Sequence, residues 1–137
     1  MFINDRVDVA LAVNADGVHL PISALWVRDV RRLAPELCVA VSTHDRSEVE
    51  SAAQAGADFV VFGPVFDVPA KREFGPPKGL AALAQVGSCS IPVIALGGVD
   101  YSNAESCIRV GAYGIAAIRA LVAADNVAVA MARLISL

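Results

Sequence analysis

Charge is scarce in this chain of 137 residues: Asp, Glu, Lys and Arg together make up only 18% of it. The 11 basic residues are scattered and the formal net charge is −3. No field of Lys and Arg exists to meet a phosphate backbone, so nucleic acid is excluded as the natural partner. Cysteine is sparse too. Cys38, Cys89 and Cys107 are far apart and form no CxxC pair, which excludes a paired-cysteine framework. They read as small buried apolar side chains in a reducing, cytoplasmic setting. A secretory or transit segment is not legible, since Met1-Phe2-Ile3 leads directly into Asn4-Asp5-Arg6.

An unbroken apolar run is also missing, although the mean hydropathy of +0.59 is high. The longest charge-free stretch, Gly79 to Val99, is interrupted by Gln85, Gly87, Ser88, Ser90, Pro92 and Gly97-Gly98. That punctuation describes a helix, a turn and a buried strand, so no membrane span is expected. Hydrophobic residues at 56% exclude disorder. A chain of this length buries about two-thirds of its surface on folding, enough for one core. A single domain over residues 1–137 is expected.

A motif recurs along the chain. Asn14-Ala15-Asp16-Gly17-Val18, Gly56-Ala57-Asp58-Phe59-Val60 and Gly111-Ala112-Tyr113-Gly114-Ile115 each close a helical stretch and open a short apolar run. Gly or Asn after a helix takes the left-handed cap, and the apolar run is a strand buried on both faces. The repeat is therefore a helix-to-strand corner of alternating β and α units. Strands are predicted at Phe2–Ile3, Val18–Leu20, Cys38–Ser42, Phe59–Phe62, Pro92–Leu96 and Ile115–Ile118. Helices are predicted at Val7–Val13, Val27–Leu33, Ser47–Ala55, Leu80–Val86, Ala104–Val110 and Asn126–Ile135. Asp45 and Ser47 each open a capping box, with Glu48 and Glu50 three residues on. Six units suit an open doubly wound sheet or part of a barrel, and the Gly pair lacks the third Gly of a dinucleotide site.

Ligands of parallel α/β folds bind at the C-terminal ends of the strands. The polar residues placed there are Asn4-Asp5-Arg6, His19, Ser42-Thr43-His44, Asp67 running into Lys71, Gly97-Gly98 and Arg119. A Gly pair after a buried strand offers backbone N–H groups to a phosphate, and an Arg adds a bidentate contact.

With these residues in view, the chain resembles the thiamine phosphate synthase and TenI superfamily. The matching segments are Asn-Asp-Arg-Val-Asp-Val-Ala at 4–10, Ala-Asp-Gly-Val-His-Leu at 15–20, Val-Ser-Thr-His at 41–44, the run 56–66, Ile-Pro-Val-Ile-Ala-Leu-Gly-Gly-Val at 91–99 and 111–118. The resemblance implies a (β/α)8 TIM-barrel type of α/β fold, with residue 1 at the family's third strand. Six βα units, strands 3–8 of the barrel, would form a partial barrel, closed either by a longer chain or by homo-oligomerisation.

The resemblance also implies roles. Asn4, Ser42 and His19 would contact substrate, and Asp5 would be a magnesium ligand. The family's second magnesium carboxylate falls in Pro21-Ile22-Ser23-Ala24, where it is replaced by Ala24. The synthases' Thr-x-Thr-Lys loop is Val68-Pro69-Ala70-Lys71, so only Lys71 survives, and Arg119 replaces a Ser. Phosphate would be held by Gly97, Gly98, Arg119 and Lys71. Because the departures fall on the pyrophosphate half of the site, the sequence favours the TenI branch: a thiazole tautomerase acting on a small phosphorylated thiazole, with His44 shuttling the proton and no cofactor. The alternative is a thiamine phosphate synthase, which requires Mg2+. A third reading is a non-catalytic phosphate-binding or regulatory relic.

Overall fold

In the computed structural model, which describes residues 1–21 and 25–136, the three corners of the repeat share one hydrogen-bond pattern. Asn14, Gly56 and Gly111 take positive φ values of 50°, 92° and 105°, the left-handed bend that ends a helix. The following residue, Ala15, Ala57 or Ala112, donates its N–H five residues back, to Ala10, Ala52 or Cys107, at 2.9, 3.0 and 3.1 Å. The next amide opens the strand: Asp16, Asp58 and Tyr113 donate to the Met1, Val39 and Val93 carbonyls. Three residues thus end a helix and start pairing with the preceding strand.

The corners join β1 (Phe2–Asn4), α1 (Val7–Ala12), β2 (Gly17–Leu20), α2 (Val27–Leu33), β3 (Cys38–Thr43), α3 (Arg46–Ala55) and β4 (Phe59–Phe62). A 3-10 helix at Pro69–Phe74 follows, then α4 (Gly79–Gly87), β5 (Val93–Leu96), α5 (Ala104–Arg109), β6 (Gly114–Ala116), α6 (Arg119–Val122) and α7 (Val127–Ile135). All neighbouring strands are parallel, and the sheet order is the chain order, β1 to β6.

That order decides the architecture. Crossovers between parallel strands are right-handed in about 98% of cases. Same-handed crossovers between strands laid down in sequence order put every helix on one face. A doubly wound sheet reverses its order partway and this one does not, so the structure is a curled half-barrel of the TIM type. Val18, Leu20, Val39, Val41, Val60, Phe62, Val93 and Ala95 point to the helices, where they join Val7, Val30, Val49, Leu83 and Leu134 in one buried cluster. Alternate residues, including His19, Ser42, Phe59, Val61, Ile94 and Leu96, lie on the opposite, inner face and are half-buried.

Several expectations are corrected. The 3-10 helix and α6 both fall in segments where no element was predicted, and β6 ends two residues before the predicted Ile118. Pro69 presets the φ of a turn start, and Arg119-Ala120-Leu121-Val122 winds into helix once β6 has ended at Ala116. Asp45, not Ser47, caps α3, accepting the Glu48 N–H at 2.9 Å. Only Cys107 is buried; Cys38 and Cys89 are partly exposed. Among the described residues no helix is long and apolar enough to cross a membrane.

Arg31 of α2 braces the other end of the sheet. Its guanidinium donates to the Gly56 and Leu37 carbonyls and to Asp58, and Asp58 accepts the Val39 N–H at 2.6 Å. Burial alone would push the Asp58 carboxyl up, but the Val39 amide and Arg31 outweigh it and hold the pKa below the usual range. A depressed carboxyl stabilises the fold above its unfolded pKa of about 4, and the contribution fades as pH falls through the folded value. Asp58→Asn is therefore expected to unfold at lower urea than wild type at pH 7, with the gap narrowing at pH 3. A gap of equal size at both pH values would contradict this.

Candidate active site

Three strands place their polar residues in one row on the inner face. Asn4 is the register partner of His19, and His19 of Ala40, so Ser42 stands two residues further along β3. His19 links the row: its Nδ1 lies 3.1 Å from Asn4 Oδ1, and its Nε2 lies 2.9 Å from Ser42 Oγ. A neutral imidazole protonated at Nδ1 satisfies both bonds, donating to Asn4 and accepting from the Ser42 hydroxyl. Burial lowers the His19 pKa, because the half-buried site disfavours the cation. The row is thus uncharged at neutral pH.

Beside it, Asp5 bends the chain out of β1 at a φ of 65°. Its N–H donates to the His19 carbonyl at 2.9 Å. A non-glycine residue held there stores roughly 1–3 kcal/mol of strain. Asp5 does not cap α1, whose N-cap is Arg6 and which has no side-chain cap bond.

His44 follows β3 and belongs to a different contact. One carboxylate oxygen, Glu48 Oε2, accepts the His44 backbone N–H at 2.6 Å and lies 3.2 Å from its Nδ1. In an ordinary capping box the N3 Glu returns to the N-cap amide, here that of Asp45. Glu48 instead reaches one residue further and holds the imidazole.

The Gly97-Gly98 corner closes β5. Both residues have positive φ, 96° and 65°. A Cβ on Gly97 would lie 2.5 Å from the Pro64 Cα, and one on Gly98 2.8 Å from the Phe66 Cβ. The glycines are therefore required first by the close passage of the loop after β4. Val65 and Phe66 donate to the Leu96 and Gly97 carbonyls, and the Asn103 side chain donates to the Gly98 carbonyl at 3.0 Å. Among the described residues the Gly98 and Val99 amides have no acceptor. They line a cavity of about 1040 Å3 whose wall also includes Lys71 and Arg119.

The structure thus divides the expected residues. Gly97, Gly98, Lys71 and Arg119 share the cavity; Asn4, His19 and Ser42 share the row; His44 bonds to neither group. Arg119 is the first residue of α6, not the end of a strand. Sequence reasoning missed Glu48 and Asn103. A Glu four residues after a His, and an Asn three residues after Asp100 beyond the Gly pair, were the available signals.

Magnesium takes an octahedral oxygen shell, usually with one or two carboxylates besides substrate phosphates. Ile22, Ser23 and Ala24, where the second carboxylate was sought, lie outside the described residues, and position 24 is Ala in the sequence. Among the described residues no three His, Cys, Asp or Glu side chains gather as metal ligands. Asp5 alone does not build a protein cage for the ion.

The row makes a pH prediction. A histidine whose pKa is lower in the folded state destabilises the fold as pH drops below the unfolded value of about 6.5. The His19 ring resonances should titrate below that value, and His19→Gln should flatten the loss of stability between pH 7 and pH 5. Titration of His19 at or above 6.5, followed by NMR, would contradict the buried neutral row.

A family model described as thiamine monophosphate synthase matches residues 1–121. Thiamine-phosphate synthase of Chloroflexus aurantiacus is 43% identical over 135 residues, covering 98% of this chain and 62% of the relative. That of a Roseiflexus species is 41% identical over 128 residues, covering 92% of this chain and 54% of the relative. Thiamine phosphate pyrophosphorylase from Pyrococcus furiosus superposes with a TM-score of 0.90 at 36% identity, covering 98% of this chain and 65% of that one. The chain therefore spans between 54% and 65% of the length of these three proteins. On sequence and on fold alike, it belongs to the thiamine monophosphate synthase family.

Proposed function

We propose that the cavity beside Gly97-Gly98 holds a phosphorylated thiazole, and that the chain joins it to hydroxymethylpyrimidine pyrophosphate to give thiamine phosphate. The observation that carries the reading is the convergence of Gly97, Gly98, Lys71 and Arg119, from three separate segments, on one cavity at the C-terminal ends of the strands. Backbone amides and a guanidinium fork are the donors that phosphate oxygens accept best. The neutral Asn4–His19–Ser42 row suits an uncharged heterocycle, to which it offers amide, imidazole and hydroxyl groups. The choice of synthase is supported by the names of the relatives, at 43% and 41% identity. It reverses the order of preference drawn from the sequence alone.

The tautomerase remains as a second reading, favoured by a specific observation. Asp5 lacks a second carboxylate, whereas His44 is fixed by Glu48 on its Nδ1 side. Its Nε2 has no partner among the described residues, which leaves that atom to take and return a proton.

Purified chain incubated with magnesium, hydroxymethylpyrimidine pyrophosphate and thiazole phosphate is expected to form thiamine phosphate, read as thiochrome fluorescence. Arg119→Gln should raise the KM for thiazole phosphate by about tenfold, the loss of one charge-assisted bond. No product from folded protein would overturn the synthase reading. Proton exchange into a thiazole carboxylate phosphate, abolished by His44→Asn, would then establish the second.

The same reading includes a homo-oligomer. Among the described residues β1 and β6 each pair on one side only, and Ile118 and Val122 are exposed just after β6 in the chain. Unpaired edges and exposed apolar surface favour association. Light scattering at tens of micromolar should give a mass above 14.2 kDa; a monomer would refute it.

A further inference from the structure

Apolar surface is left uncovered mainly at the two ends of the sheet. Among the described residues α3 and α4, in the middle, expose no large hydrophobic side chain. At one end Phe2 of β1 and Leu11 of α1 are 43% and 47% exposed; at the other Val122 of α6 and Ile135 of α7 are 81% and 75% exposed. Leu33 of α2 and Ile108 of α5 stand singly, as isolated surface hydrophobics do.

Helix α7 shows the imbalance most plainly. In Val127–Ile135 only Arg133 is polar and only Leu134 is buried. Val127, Met131 and Ile135 recur every fourth residue and form one exposed stripe along the helix. A helix apolar all round belongs inside a larger structure. The inner face of the sheet is also only half covered. Phe59, Val61, Ile94 and Leu96 are half-buried there, where a closed barrel packs such residues into layers.

Both ends of the curl border one opening. Eight parallel strands close a barrel of this type, and this sheet has six, in chain order, with β1 and β6 each paired on one side. The opening therefore takes two strands with their helices. A second copy of the chain would bring six strands, so it can lie against one edge but cannot bridge the opening. On the order of 80 residues of the Chloroflexus relative have no counterpart here, since the 135 matched residues are 62% of it, and a βα unit takes about 30 residues. Strand count and length thus specify the same occupant.

We infer that this open side is a docking surface for a separate polypeptide of two βα units, which pairs one strand with β1 and the other with β6 and lays its helices over the apolar faces of α1 and α7. Such docking is independent of the ligand that the cavity takes. The homo-oligomer is its competitor, because both cover the same edges.

The probe is the first two βα units of the Chloroflexus relative, made as a separate polypeptide and refolded from urea with the full chain. Size-exclusion chromatography with light scattering should give a complex holding one copy of each, in place of the oligomer of the chain alone. Hydrogen exchange should slow about tenfold at the β1 and β6 amides and stay unchanged in β3 and β4. Met131→Glu on α7 and Leu11→Glu on α1, both at exposed positions, should each weaken the complex about tenfold by placing an unpaired charge in an apolar contact. Neither should change the melting temperature of the chain alone. Ser51→Glu, exposed on α3, should leave the complex unchanged.

A complex weakened from one edge only would mean leaning instead of bridging, and would overturn the docking. An oligomer of the chain that persists beside the segment would make a second copy the occupant, and would overturn it too. If the separate segment does not bind, the same segment joined ahead of Met1 by a flexible linker identifies the reason. Protection of β6 in the joined form alone would restrict the surface to a covalently attached segment, and no protection in either form would deny it such a partner. Both results count against docking of a separate chain.

Discussion

The left-handed corner is the constraint on which the rest of the structure depends. Ala15, Ala57 and Ala112 each close a helix by donating five residues back, and the next amide is already paired to the preceding strand. At these corners the chain has no freedom to wander between helix and sheet, so β2, β4 and β6 are each laid directly beside their predecessor. Strands in sequential order with one hand of crossover give a sheet clothed on one face only. Core and site separate for the same reason. One set of alternate residues is committed to packing, and the other is left to face whatever occupies the inside of the curl.

Within that inner region the chemistry is graded along the sheet. Over β1 to β3 it is neutral and hydrogen-bonding, with a histidine kept uncharged by burial. Beyond β5 and β6 it is cationic, and among the described residues the Gly98 and Val99 amides have no acceptor where two loops meet. The gradient separates a stretch suited to neutral hydrogen-bonding groups from one suited to anions. His44 sits outside both regions and, among the described residues, is held by Glu48, which is why its part in the chemistry is a separate question from where the ligands bind.

Much of this was legible in the sequence where a residue type has one physical use. Asn14, Gly56 and Gly111 marked the corners because a left-handed residue is needed there, and the strands followed from the apolar runs behind them. Asp45 and Glu48 marked the start of α3, although the capping-box pattern also fitted one turn fraction later. Gly97-Gly98 was visible as a special corner, but its first cause was not. The glycines admit the loop after β4, a long-range contact that no local pattern encodes. The 3-10 helix at Pro69–Phe74 and α6 were hidden because short helices depend on what precedes them more than on propensity. Cys38 and Cys89 read as buried because cysteine usually is; the face of the strand and the end of a helix decided otherwise. Glu48 escaped notice as a histidine clamp because its place three residues after Asp45 already gave it a use in the capping box.

The interlocking of the two loops has a mechanical consequence. Segment 64–67 is bonded to the Leu96 and Gly97 carbonyls and packed into the space that a side chain at position 97 or 98 would fill. Neither loop can shift without the other, so the floor of the cavity behaves as a single stiff plate. Its amides have already surrendered their conformational entropy in folding. An anion arriving there meets donors that need no further ordering, and more of each contact is retained as affinity.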